Sequence, residues 1–151
     1  MLDTIDYSVK HFFKHILRSK LEVVNSLDNA EYYGASICLG DNVKDLECYL
    51  IFRKESLQAL ASRLLGEDDK MCEDDFCDLC KEVANQIIGY AKRLLADAYD
   101  DYSITVPEYL GKVSDFKLGF NYEFFYKLED NTFCVGIIEK KKQGKKCKKS
   151  K

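Results

Sequence analysis

The chain has 151 residues, 46% of them apolar, with ten Tyr, nine Phe and no Trp. That length suits a single domain and buries roughly 70% of the unfolded surface, enough for a sizeable core. No apolar run reaches the length of a membrane-spanning helix. Acids in MLDTIDYSVK stand where a secretion signal has base followed by an apolar core, so a cytoplasmic protein without membrane insertion is expected.

The net charge of −3 conceals an asymmetry. Residues 140–151 hold eight Lys and no acid; without them 15 basic residues face 26 acidic ones, a balance of −11. An acidic body of this kind does not bind nucleic acid non-specifically. The expected organisation is therefore one domain over 1–139 followed by a basic, disordered tail over 140–151. Seven cysteines without a secretion signal point to reduced thiols rather than disulfides. Cys38, Cys48 and Cys134 lie in apolar strand-like runs and are expected to be buried.

Residues 5–19 carry Ile5, Val9, Phe12, Phe13, Ile16 and Leu17 at helical spacing, an amphipathic first helix. His11 and His15 stand at i, i+4 but lack a third ligand, which favours surface histidines over a metal pair. Residues 21–27 suit a short strand. Residues 31–39 and 46–53 flank the turn-forming GDNVKD and suit a hairpin. A second helix is predicted over 55–65, ended by Gly66. After an acidic link comes the longest helical pattern, 73–98. The only proline, Pro107, pushes Val106 out of the helical region, so 102–112 should be a strand leading into a loop. The alternating runs 115–127 and 132–139 suit a second hairpin. Helix, strands, two helices, strands is an α+β order. The expected fold is a largely antiparallel sheet with the helices on one face and the long helix turning a polar stripe outward.

At about 100° per residue, Phe76, Cys80, Val83, Ile87, Ala91, Leu94 and Ala98 share one side of the long helix. Asp75, Asp78, Glu82, Asn85, Gln86, Gly89 and Arg93 share the other. A glycine inside a helix costs roughly 1 kcal/mol against alanine. Its place on the polar face suggests that something approaches the backbone there. A second E-x-x-N, Glu22 to Asn25, lies in a strand-like run that would send the two side chains to opposite faces, and is rejected. Cys72, Cys77 and Cys80 invite a zinc reading, but a structural zinc site wants four ligands and the phases of Cys77 and Cys80 differ. Ordinary cysteines are preferred, with no metal in this chain. A zinc-dependent interaction module on these three thiols remains the third reading of the chain.

Glu82-Val83-Ala84-Asn85, then Gly89 and Lys92, resembles the signature of the CheX-type phosphatases of bacterial chemotaxis, relatives of CheC and FliY. The likeness extends to Leu65-Gly66-Glu67 before the helix and to Pro107 through Gly111 after it, and covers roughly residues 45 to 140. One copy of the signature is similar to CheX rather than CheC. The resemblance implies hydrolysis of the aspartyl phosphate on a phosphorylated CheY-type receiver domain, with Mg²⁺ supplied by that receiver. It implies water positioning by Asn85, pairing of Glu82 with a lysine of the partner, and close approach at Gly89. Gln86, Asp78 and Arg93 would complete the partner-binding surface. It also implies a homodimer. The alternative is a non-catalytic adaptor of the same fold that binds a receiver or a flagellar or chemoreceptor component.

Overall fold

The computed structural model describes residues 2–28, 30–65, 72–96, 102–113, 119–128 and 130–141. Helix α1 (Leu2–His11) continues into a π-helical turn over Phe12–Ile16. Strands β1 (Leu21–Val24), β2 (Tyr32–Gly40) and β3 (Lys44–Arg53) follow, then α2 (Lys54–Leu65) and α3 (Glu73–Ala96). Short β4 (Ser103–Ile104) and β5 (Glu108–Val113) bracket Pro107, and β6 (Tyr122–Leu128) and β7 (Asn131–Lys141) close the described chain.

Among the described residues the strands form one antiparallel sheet in the order β1-β6-β7-β3-β2-β4, with β5 also on β2. Both expected hairpins are present, joined through β3 and β7, where Phe52 pairs with Phe133 and Leu50 with Val135. The alternation of a strand sends every second side chain to one face. Tyr33, Ala35, Ile37 and Leu39 of β2, Leu46, Cys48, Leu50 and Phe52 of β3, and Phe133, Val135 and Ile137 of β7 all enter a single core. That core also takes Ile5 and Val9 of α1, Phe12 and Phe13 of the π-helical turn, Leu57, Leu60 and Ala61 of α2, and Phe76, Val83, Ile87 and Ala91 of α3. The helices thus lie on one sheet face, as expected. The other face carries a smaller cluster around Tyr32, Ile51 and Cys134.

Several boundaries move. The first strand is shorter than 21–27, and Lys140 and Lys141 belong to β7 rather than to a tail, because the β3–β7 ladder runs on to Lys44↔Lys141. Gly66, Ala98 and residues 142–151 lie outside the described residues. Cys48 and Cys134 are buried and free, whereas Cys38, on the face opposite Cys48 and outside the cluster around Tyr32, Ile51 and Cys134, is only half-buried. Burial pushes the Cys134 thiol up to about 12.

Gly34 sits at a bulge between β2 and β5, opposite Gly111, which has φ +74°. A Cβ on Gly34 would stand 2.8 Å from the Leu50 carbonyl oxygen. That neighbour is backbone in a ladder and cannot swing away, so Gly34→Ala is expected to destabilise by about 1–3 kcal/mol. Chemical denaturation of the two proteins measures this directly, and equal midpoints would contradict it.

Candidate functional site

Helix α3 starts with a reciprocal cap. The Cys72 carbonyl accepts from the amides of Asp75 and Phe76, while the Asp75 carboxylate accepts from the Cys72 N–H (3.0 Å) and lies 3.3 Å from its thiol. This is the returning half of a capping box, the third residue's carboxylate on the N-cap N–H, with an aspartate in the place usually held by Glu or Gln. Asp75 is therefore committed to its own helix end rather than to a partner. The bond from the Cys72 backbone N–H, then its thiol, holds the Asp75 carboxyl below its ordinary value. A depressed folded value means that this contribution is present above the unfolded value and is lost as pH falls through the folded one. The Cys72 amide proton shift should follow that titration, with a midpoint below an ordinary aspartate's; a midpoint at or above it would contradict the bond. Tyr109 of β5 donates to Glu73 Oε2 at 2.6 Å, tying the same helix end to the sheet. Burial, with the Glu73 carboxylate beside it, pushes this phenol well up.

The buried side of α3 comprises Phe76, Leu79, Cys80, Val83, Ala84, Ile87, Ile88 and Ala91. With that side fixed against the sheet, Asp78, Glu82, Asn85 and Arg93 are exposed and Gln86 and Gly89 are half-buried. Glu82 and Asn85 stand three residues apart, one turn along the same face. Among the described residues, no hydrogen bond engages the Asn85 side chain and no cation pairs with Glu82. A Cβ built on Gly89 meets nothing within 4 Å, so the backbone there is open to an incoming surface. The Gln86 Nε2–H donates to Glu82 Oε2 at 2.7 Å, across i, i+4 of its own helix.

Charge changes sign along the stripe. Glu73, Asp74 and Asp75 occupy the first turn, where the helix dipole favours anions, Asp78 and Glu82 follow them, and Lys92 and Arg93 lie toward the other end. The Arg93 guanidinium lies 5.4 Å from the centre of the Tyr90 ring. Helix α1 runs parallel alongside, with the Ser8 hydroxyl on the Ile87 carbonyl and the His11 ring stacked on Tyr90 at 4.5 Å. His11 is accordingly half-buried and only His15 is exposed, which corrects the expectation of two surface histidines. Sequence reading missed Tyr90 and His11 as flanks of the stripe. The spacing of Tyr7, His11 and His15 along one edge of α1 was the available signal.

Recesses lined by described residues include two away from this stripe. One is lined by Lys14, His15 and Arg18 at the end of α1, the other by Ser36, Cys38, Glu47, Tyr49 and Glu108 on the opposite sheet face. Neither includes a residue of α3. Glu82 and Asn85 project from a convex helix, a shape suited to entering another molecule rather than enclosing a small one. Cys72 is exposed, Cys77 half-buried and Cys80 buried, and among the described residues no group of three or more His, Cys, Asp or Glu gathers to hold a metal. No described helix is long and apolar enough to cross a membrane.

The structure is similar to CheX from Vibrio vulnificus, with a TM-score of 0.76 at 15% identity over 92% of this chain and 98% of that one. A CheC-like superfamily protein from Shewanella sp. PV-4 gives 0.71 at 16% identity over 92% and 96%. The CheX–CheY–BeF₃–Mg²⁺ complex from Borrelia burgdorferi gives 0.67 at 14% identity over 92% and 97%. Such identities speak for the fold alone. No curated protein sequence matches the chain. The family described as chemotaxis phosphatase CheX, however, matches residues 33–114, more than half of the chain and the whole of the Glu82–Gly89 stripe. By its fold and by that match, the chain belongs to the CheX family of chemotaxis phosphatases.

Proposed function

We propose that this protein hydrolyses the aspartyl phosphate of a phosphorylated CheY-type receiver domain, with the α3 stripe entering the receiver's phosphorylated site. The observation that carries this is the joint exposure of Glu82 and Asn85 on one helix face beside the uncovered backbone of Gly89. An acyl phosphate is already activated and needs an in-line water and charge neutralisation more than a strong base. The Asn85 carboxamide can accept from and donate to a water, orienting it toward phosphorus without titrating. As the water oxygen bonds to phosphorus, the phosphorus–oxygen bond to the aspartyl carboxylate breaks. Inorganic phosphate leaves and the receiver's aspartate is restored. Glu82 pairs with a receiver lysine and sets the docking register. Asp78 and Arg93 extend the contact at its two ends. Mg²⁺ belongs to the receiver, which fits its presence in the Borrelia CheX–CheY complex.

The same reading makes the protein a cytoplasmic homodimer whose domain includes the whole of β7. The reaction itself is tested by phosphate release from phosphorylated CheY-type receivers. Accelerated release on adding the wild-type chain is expected. Binding without acceleration would leave a non-catalytic adaptor.

A further inference from the structure

Gln86 holds Glu82 without neutralising it. At three other acids among the described residues a cation sits on the carboxylate: Lys10 on Asp6 at 2.9 Å, Arg53 on Glu55 at 3.1 Å, Lys140 on Glu47 at 3.2 Å. Glu82 instead receives a neutral carboxamide at 2.7 Å. A charge-assisted bond of that length is at the strong end for an N–H donor. The Glu82 carboxylate is thereby held in advance, whereas no described residue hydrogen-bonds the Asn85 carboxamide.

We propose that Gln86 is a positioning residue, whose amide pre-sets the Glu82 carboxylate for a cationic group of the partner while leaving its full negative charge available. This rests on the docking role given to Glu82 above. The physical gain is preorganisation. An exposed glutamate must surrender rotamer freedom when it pairs, and a side chain already held has less to surrender. A lysine at position 86 would hold Glu82 as well, since Glu and Lys at i, i+4 attract, but would compete with the incoming cation. The neutral donor is the choice that orders the acid and keeps it free to pair.

The test uses the full chain and a CheY-type receiver loaded with beryllofluoride and Mg²⁺ for calorimetric binding, beside phosphate release from the phosphorylated receiver. Gln86→Met keeps the length and removes the donor. It should weaken binding and raise KM by about two- to tenfold, with kcat unchanged. Gln86→Lys should also weaken binding, and its deficit should shrink as salt screens the new pair. In a Glu82→Ala background, Gln86→Met should cost nothing further. Unchanged affinity in Gln86→Met, or the same loss with and without Glu82, would overturn the proposal. Binding by the wild type without phosphate release would refute the phosphatase reading and leave the calorimetric series to decide on Gln86. A wild type that does not bind the loaded receiver would overturn both.

Discussion

Asn85→Ala should lower the accelerated release of phosphate from a phosphorylated receiver by about 100-fold or more while leaving binding of the receiver largely intact. The expectation follows from where the side chain stands. Asn85 is exposed, lies outside the core and makes no described hydrogen bond, so truncating it removes nothing that holds the fold. What is lost is the group that orients a water, an interaction made fully only at the moment of reaction. Such a loss falls on kcat rather than on KM. Paired measurements of single-turnover release and receiver affinity decide the matter. Equal release rates for variant and wild type would remove Asn85 from the chemistry. A parallel loss of affinity would make it a docking residue instead.

Gly89→Ala should move stability and activity in opposite directions. Alanine at this position should stabilise α3 by about 0.5–1 kcal/mol, because its Cβ enters open space and the unfolded chain loses freedom. The same methyl group stands where a partner would meet bare backbone, one turn beyond Asn85. Displacing a docked surface by a fraction of an ångström should reduce turnover about tenfold to 100-fold. Thermal or chemical denaturation gives the first quantity and phosphate release the second. A less stable variant would mean that the chain's own fold requires this glycine. Unchanged turnover would mean that nothing approaches there.

Sequence showed the fold at the level of faces. The 3.6-residue period of α3 identified its buried side from Phe76 to Ala91, and the two-residue period of β2, β3 and β7 identified theirs. It did not show neighbours. Alternation tells which side chains of β3 and β7 point inward, but not that these strands pair with each other and join the two hairpins. The parallel packing of α1 against α3 was hidden for a similar reason: Val9 and Phe12 would be apolar on that face whatever they met. Pro107 was a legible interruption, yet β5 pairs with β2 with Gly34 and Gly111 opposite each other, 77 positions apart in sequence, which no local pattern shows.

At the site, composition and phase placed Glu82, Asn85 and Gly89 on one exposed stripe, and the structure brings them together there. Roles set by short-range hydrogen bonds were not legible. Asp75 shares the phase of Asp78, but its carboxylate turns back to the Cys72 amide, because the third position of a helix can reach the free N–H groups of the first turn. Gln86 likewise turns toward Glu82 rather than outward. Periodicity assigns a residue to a face. It does not choose between a partner and a neighbour on the same helix.

A crystal structure of this chain with a CheY-type receiver carrying beryllofluoride and Mg²⁺ tests the central claim most directly. Asn85 should stand within hydrogen-bond reach, about 2.6–3.2 Å, of the in-line water position opposite the aspartyl oxygen, with Glu82 on a receiver lysine. A receiver seated elsewhere, with the α3 stripe left in solvent, would contradict it.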